Sequence, residues 1–161
     1  MRRTLSLAAL LIAAAVPAIA HPGHGGAGFL HPFTGVDHLL AMVGVGLWAS
    51  LLAGRKPLST LVVPASFLLM MAVGAAAGFA GIKLPLVEAV ILASVFVIGG
   101  FILTGVRLSV AWAAAVAGLF ALFHGYAHAL EAPASDAGDY ILGFLAATAL
   151  LQGFIDRIQV C

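Results

Sequence analysis

The chain has 161 residues, of which 63% are hydrophobic and only 8% are charged. A water-soluble domain carries about 25% charged residues, so the composition excludes a soluble globular domain and predicts an all-α integral membrane protein. The formal net charge of +1 says nothing about nucleic acid, but the sequence has no basic stripe that could hold phosphate, so no nucleic-acid partner is expected.

The N-terminus has the pattern of a secretory signal peptide. Arg2 and Arg3 precede an apolar stretch, and small residues lead up to Ala20. We therefore predict a signal peptide at residues 1–20 that is cleaved after Ala20, followed by a His/Gly-rich segment at residues 21–35 outside the cytoplasm. An uncleaved first spanning helix is the alternative, and it gives the same orientation downstream.

Five apolar runs follow, separated by charges and helix breakers. A spanning helix needs about 20 mostly apolar residues, so residues 36–161 predict a bundle of about five transmembrane helices. Short loops make sequential helices antiparallel neighbours. Small residues four apart, such as Gly74 with Gly78 and Gly125 with Ala129, predict close helix packing. The predicted spans are residues 36–53, 58–80, 86–103, 108–130 and 140–155.

Loop charges predict the orientation, because Lys and Arg concentrate in cytoplasmic loops. With the new N-terminus outside, four basic residues fall on the cytoplasmic side and one, Lys83, falls outside. The C-terminus is then cytoplasmic. The four cytoplasmic residues are Arg55, Lys56, Arg107 and Arg157.

Two short polar motifs interrupt the apolar runs. His31 to His38 reads HPFTGVDH and opens the first span, whereas His124 to Glu131 reads HGYAHALE and closes the fourth. In the predicted orientation His38 and His124 each lie about 10 Å deep from the outer side, at 1.5 Å per helical residue. Glu88, in the first turn of the third span, belongs to the same layer.

The two motifs also place their polar groups on common helix faces, because residues three, four or seven apart share a face. The second motif aligns its two histidines with Glu131. His31 and His38 share a stripe if helical geometry begins at Pro32. Asp37 could ligate a metal or orient a neighbouring imidazole.

Ionisable groups inside hydrocarbon are costly and usually line a pathway or bind something. Imidazoles and carboxylates suit a borderline divalent metal, so we predict a cation site near the outer side. The residues alone leave Ni²⁺, Co²⁺, Zn²⁺ and Cu²⁺ open. His31 could instead be a polar side chain at the headgroups, and Glu131 a member of the acidic loop. The candidate ligands are His31, Asp37, His38, His124, His128, Glu131 and Glu88.

The motifs resemble the hydrogenase/urease accessory nickel permease family (HupE/UreJ). The resemblance implies uptake of nickel, with cobalt as an alternative, across a bacterial inner membrane to supply hydrogenase or urease. It implies metal-binding roles for the motif histidines, Asp37 and Glu131. Ala129 stands where the family commonly has glycine. The segments that carry the resemblance are residues 21–25 (HPGHG), 31–42 (HPFTGVDHLLAM), 46–48 (GLW) and 123–128 (FHGYAH).

These features predict a metal permease rather than an enzyme, with a periplasmic mature N-terminus. Ni²⁺ is expected as cargo and no cofactor as permanently bound. The expected partners are the metal ion and the lipid bilayer, with a homo-oligomer left open. No phosphate-binding loop of the Gly-x4-Gly-Lys-Ser/Thr type occurs, so ATP is not hydrolysed by that route. The alternatives are a b-type haem electron carrier, an intramembrane zinc hydrolase and a non-transporting sensor or assembly factor.

Overall fold

The computed structural model describes residues 27–53 and 57–160, apart from the side chains of residues 27, 31, 32, 34, 53, 57–59 and 156–160. The predicted signal peptide, Arg55 and Lys56 lie outside the described residues. Within those residues the chain forms six helices and no strand, which confirms the all-helical prediction. The helices are α1 (Ala27–Thr34), α2 (Val36–Ala53), α3 (Pro57–Phe79), α4 (Val87–Thr104), α5 (Val110–Glu131) and α6 (Ala137–Val160).

Helices α2 to α6 correspond to the five apolar runs of the sequence. Four stretches are long and apolar enough to cross a bilayer, whereas the apolar part of α2, Val36–Leu52, is shorter. Because a span of about 30 Å requires about 20 helical residues, length and composition support a membrane protein. The four stretches are Thr60–Phe79, Val87–Thr104, Val110–Glu131 and Ala137–Ile155.

Helix α1 corrects one premise of the sequence analysis. Helical geometry does not begin at Pro32, since α1 already begins at Ala27 and ends at Thr34, and α2 begins after a break at Gly35. His31 and His38 therefore belong to different helices and share no continuous helical stripe.

The short helix α1 packs on the first turns of α6 through glycines. A Cβ at Gly28 would collide with the Tyr140 carbonyl oxygen, and a Cβ at Gly143 would lie 2.8 Å from the Phe29 backbone nitrogen. The two backbones can approach this closely because neither glycine carries a side chain.

Helix α2 lies at the centre of the bundle and contacts each of the other five helices. Its buried side chains Met42, Val45 and Trp48 belong to the main apolar core together with Phe67 and Phe144. A residue on the buried face of α2 can therefore meet side chains from several helices.

The most extensive helix pair is α3 with α5, and small residues allow it. A Cβ at Gly74 would collide with the Leu122 carbonyl, and a Cβ at Gly125 would collide with the Met71 carbonyl. Beside them, Ser66 Oγ donates a hydrogen bond of 2.8 Å to the Ala114 carbonyl. The close packing that the small-residue spacing predicts is present in this interface.

The loop between α3 and α4 lies at the same end of the bundle as the C-terminus of α5. Its Leu84 backbone N–H donates to the Tyr126 hydroxyl over 3.4 Å. We call this the imidazole end of the bundle, because both histidine motifs also lie there.

Candidate metal site

Three imidazoles from two helices meet inside the imidazole end. The ring centroid of His38, on α2, lies 5.1 Å from that of His124 and 4.4 Å from that of His128, both on α5. All three residues are buried, with at most 6% of their surface exposed. We call these three residues the imidazole cluster.

Asp37 orients the first imidazole. Its Oδ1 lies 2.9 Å from His38 Nδ1 and also accepts the His38 backbone N–H at 2.9 Å. A carboxylate only accepts hydrogen bonds, so Nδ1 carries the hydrogen and Nε2 of the neutral ring carries the lone pair. Gly35 leaves room for this pair, because a Cβ there would lie 3.3 Å from His38 Nδ1.

Ser94 of α4 orients the second imidazole. Its hydroxyl donates to the Ile91 carbonyl at 2.6 Å and lies 3.0 Å from His124 Nε2. A hydroxyl has one hydrogen, which the carbonyl takes, so His124 Nε2–H donates to Ser94 Oγ and Nδ1 keeps the lone pair. The sequence analysis missed Ser94, and the only sequence signal for it is a hydroxyl within an otherwise apolar span; its full burial is a finding of the structure.

The third imidazole is held by stacking. His128 stacks on Phe144 of α6, with ring centroids 4.2 Å apart and planes inclined by 28°. Its Nδ1 lies 3.8 Å from Glu131 Oε2, one turn further along α5. Glu131 is partly exposed at the end of α5, so its carboxylate lies between the buried His128 ring and the surface of the bundle.

One predicted ligand, Glu88, lies apart from the imidazole cluster, and the position of the His31 side chain is not described. Glu88 is exposed in the first turn of α4, and no contact within the described residues joins it to the three rings. The His31 backbone belongs to α1, whereas its side chain lies outside the described part of the structure.

The imidazole cluster is a set of packed rings rather than a formed coordination shell. Across residues 27–53 and 57–160, no three His, Cys, Asp or Glu side chains already present donors arranged to hold a metal ion. To share one cation, His38 Nε2 and His124 Nδ1 would have to turn toward a common point. Small ring rotations about χ1 and χ2 are the least costly route, because the backbone positions are fixed by helix packing.

The chain is similar to known proteins over most of its length. The family model for the HupE / UreJ protein family matches residues 8–155. A relative named Protein HupE, from Rhizobium leguminosarum bv. viciae, is 45% identical over 157 residues, which covers 92% of this chain and 78% of the relative. The comparison with solved structures finds no significant match.

Proposed function

Because the chain belongs to the HupE/UreJ family of hydrogenase and urease accessory nickel/cobalt permeases, we propose that it carries divalent nickel across the bacterial inner membrane. The observation that supports this most is the contact of His38 with His124 and His128 inside a bundle of apolar helices. Ionisable side chains buried at such a position are costly, and they usually mark an ion pathway or a binding site.

In the proposed mechanism the cation enters from the periplasmic side and exchanges water for imidazole nitrogens. The first donors are the lone pairs assigned above to His38 Nε2 and His124 Nδ1. The Asp37 carboxylate, which is hydrogen-bonded to His38 Nδ1, makes the opposite nitrogen of that ring a stronger ligand. Conduction needs binding that is strong enough for entry and weak enough for release. Imidazole nitrogens meet this need, because they bind a divalent cation without the strong hold of a thiolate site.

The same geometry argues against the haem alternative. An iron porphyrin would have to lie between its two axial imidazoles, but the His38 and His124 rings are in direct edge-to-face contact. Family membership, rather than the ring geometry, favours a permease over a zinc hydrolase. A sensor or assembly factor would bind nickel without carrying it across the membrane, so a measurement of nickel flux distinguishes it from a permease.

The direct test is uptake of radiolabelled nickel by bacterial cells that lack their own nickel importers. Cells that express the full chain should accumulate nickel faster than cells with an empty vector, and excess unlabelled cobalt should compete. Equal accumulation by both strains would overturn the proposal. If excess zinc leaves nickel uptake unchanged and excess cobalt reduces it, the transporter prefers nickel and cobalt over zinc.

We expect uptake to slow as the external pH falls below about 6, because protons compete with the metal ion for the imidazole nitrogens that must be deprotonated to bind it. Initial rates should be measured between pH 5 and 8 at constant free Ni²⁺. A rate that stays constant over this range would contradict competition between protons and the metal ion at the imidazole cluster. A strain that imports nickel through an unrelated system serves as the control for cell viability.

Ser94→Ala should weaken nickel binding by about tenfold, which is the lower range for removing a group that orients a metal-ligating histidine. The Ser94→Thr variant keeps a hydroxyl beside His124 and should bind almost as the wild type does. Both are measured by equilibrium binding of Ni²⁺ to the purified full-length protein. If the wild type and Ser94→Ala bind Ni²⁺ with equal affinity, Ser94 does not orient His124 for metal binding.

A further inference from the structure

A second group of buried polar atoms lies beyond the imidazole cluster, between α2 and α6. It consists of the Met42 thioether, the Thr148 hydroxyl and the Gln152 amide, which we call the polar column. All three residues are at most 2% exposed. Thr148 Oγ1 lies 3.2 Å from Met42 Sδ and donates to the Phe144 carbonyl at 2.8 Å.

The Gln152 amide lacks a structural explanation in the described residues. Neither its Oε1 nor its Nε2 has a hydrogen-bond partner there, and the buried Nε1 of Trp48 has none either. Burying an unsatisfied amide is costly, and such groups are rare in folded proteins unless they have another role. A leucine would fill a similar volume without this cost.

The polar column continues the imidazole cluster in space. Thr148 bonds to the carbonyl of Phe144, whose ring stacks on His128, and Met42 follows His38 by one helical turn. The helices α2 and α6 run parallel, because Met42 meets Thr148 whereas Gly46 meets Ile155 further along both helices. Gln152 therefore lies about 6 Å beyond Thr148, at 1.5 Å per residue, away from the imidazole end.

The donors of the polar column suit a weakly held divalent cation. Thr148 has one hydroxyl hydrogen, and the Phe144 carbonyl is a stronger acceptor than the thioether. Oxygen and sulfur lone pairs are therefore left side by side. Two ligands about 2.1–2.3 Å from one first-row metal ion lie about 3 Å apart when they bind at right angles. The separation of 3.2 Å between Thr148 Oγ1 and Met42 Sδ matches this spacing.

The geometry points to the polar column as a second binding position for the transported divalent cation, which takes the ion from the imidazole cluster toward the opposite end of the bundle. Gln152 Oε1 is the donor of its last step. Neutral donors bind more weakly than imidazoles backed by a carboxylate, so the ion moves on instead of being trapped. This inference rests on the proposed transport function.

The test compares Gln152→Met with Gln152→Leu in the full-length protein, reconstituted in liposomes that contain a Ni²⁺-sensitive dye. The two substitutes are similar in volume and both apolar, but only methionine keeps a lone-pair donor. Gln152→Leu should lower the initial Ni²⁺ flux by about tenfold, equivalent to about 1.4 kcal/mol in the barrier, and Gln152→Met should retain most of it. The Ni²⁺ affinity of the imidazole cluster should be the same in both.

Further variants separate this inference from the proposed function. Thr148→Val should lower flux in the same way, whereas Phe154→Leu, at an exposed position of α6, should transport as the wild type does. Equal flux through Gln152→Met and Gln152→Leu, whether high or low, would overturn the second binding position. Failure of the proposed function would instead appear as wild-type flux no greater than that of empty liposomes.

Discussion

Replacing His38 or His124 with alanine should lower nickel uptake by about a hundredfold, since even the groups that merely orient metal ligands are worth about 10- to 100-fold. Each variant removes one of two imidazoles whose hydrogen-bond partners fix which nitrogen can bind the ion. The remaining donors cannot replace the water that the cation gives up on entering the apolar bundle. Initial uptake of radiolabelled nickel, divided by the amount of chain in the membrane fraction, measures the effect.

The matched control for these variants is Leu130→Ala. Leu130 lies on α5 close to the imidazole cluster but is 64% exposed, so its side chain can be shortened without opening the site. It should retain wild-type uptake. Wild-type uptake by both histidine variants would show that the imidazole cluster is not on the path of the ion.

Removing the Asp37 carboxylate tests a different element of the site. Asp37→Asn keeps the size of the side chain and can still accept from His38 Nδ1, but it removes the negative charge. Its uptake should fall between that of the wild type and that of His38→Ala. A variant with no loss would show that Asp37 acts through geometry alone.

The convergence of the imidazole cluster could be predicted from the sequence because few physical rules determine it. Helical rise and the required span length place His38 and His124 at one depth. The four-residue spacing of His124 and His128 places both rings on one face. Neither of these steps depends on the detail of side-chain packing. The sequence did not predict which helix is central, and only the structure shows that α2 contacts all the others and brings His38 against the two rings.

Ser94 and Gln152 could not be predicted in the same way. A single hydroxyl or amide in an apolar run has no spacing partner, and its helix can present it to any neighbour. Only the three-dimensional packing shows that Ser94 meets His124 Nε2 and that Gln152 lacks a partner among the described residues. The usable signal is the cost of any polar group at mid-membrane depth, which identifies a candidate but not its contact.

Helix α1 was missed because eight residues are too few for periodicity to separate a helix from a loop. Its stability comes from contact with α6, where Gly28 fits against the Tyr140 carbonyl. Gly35 then interrupts the chain before α2, and that break moves His31 off the His38 stripe. A glycine inside a motif can end one helix and begin another, and it then changes which residues of the motif share a helix face.

Gly74→Ala should destabilise the bundle by about 3 kcal/mol, near the upper range for adding a methyl group to a packed interior. The new Cβ would collide with the Leu122 carbonyl, and a backbone carbonyl inside a helix cannot rotate away as a side chain can. The only relief is to separate α3 from α5, which is the most extensive contact in the bundle and the one that positions both histidines of α5. Thermal unfolding of the detergent-solubilised protein measures the loss.

Gly99→Ala is the matched control, with the opposite sign expected. A Cβ at Gly99 meets no atom within 4 Å, and replacing a mid-helix glycine with alanine ordinarily stabilises a helix by about 0.5–1 kcal/mol. The same chemical change thus lowers the melting temperature in α3 and leaves it unchanged or higher in α4. If both variants melt alike, backbone contact between α3 and α5 does not hold the imidazole cluster in place, and the site must depend on α2 and α6 instead.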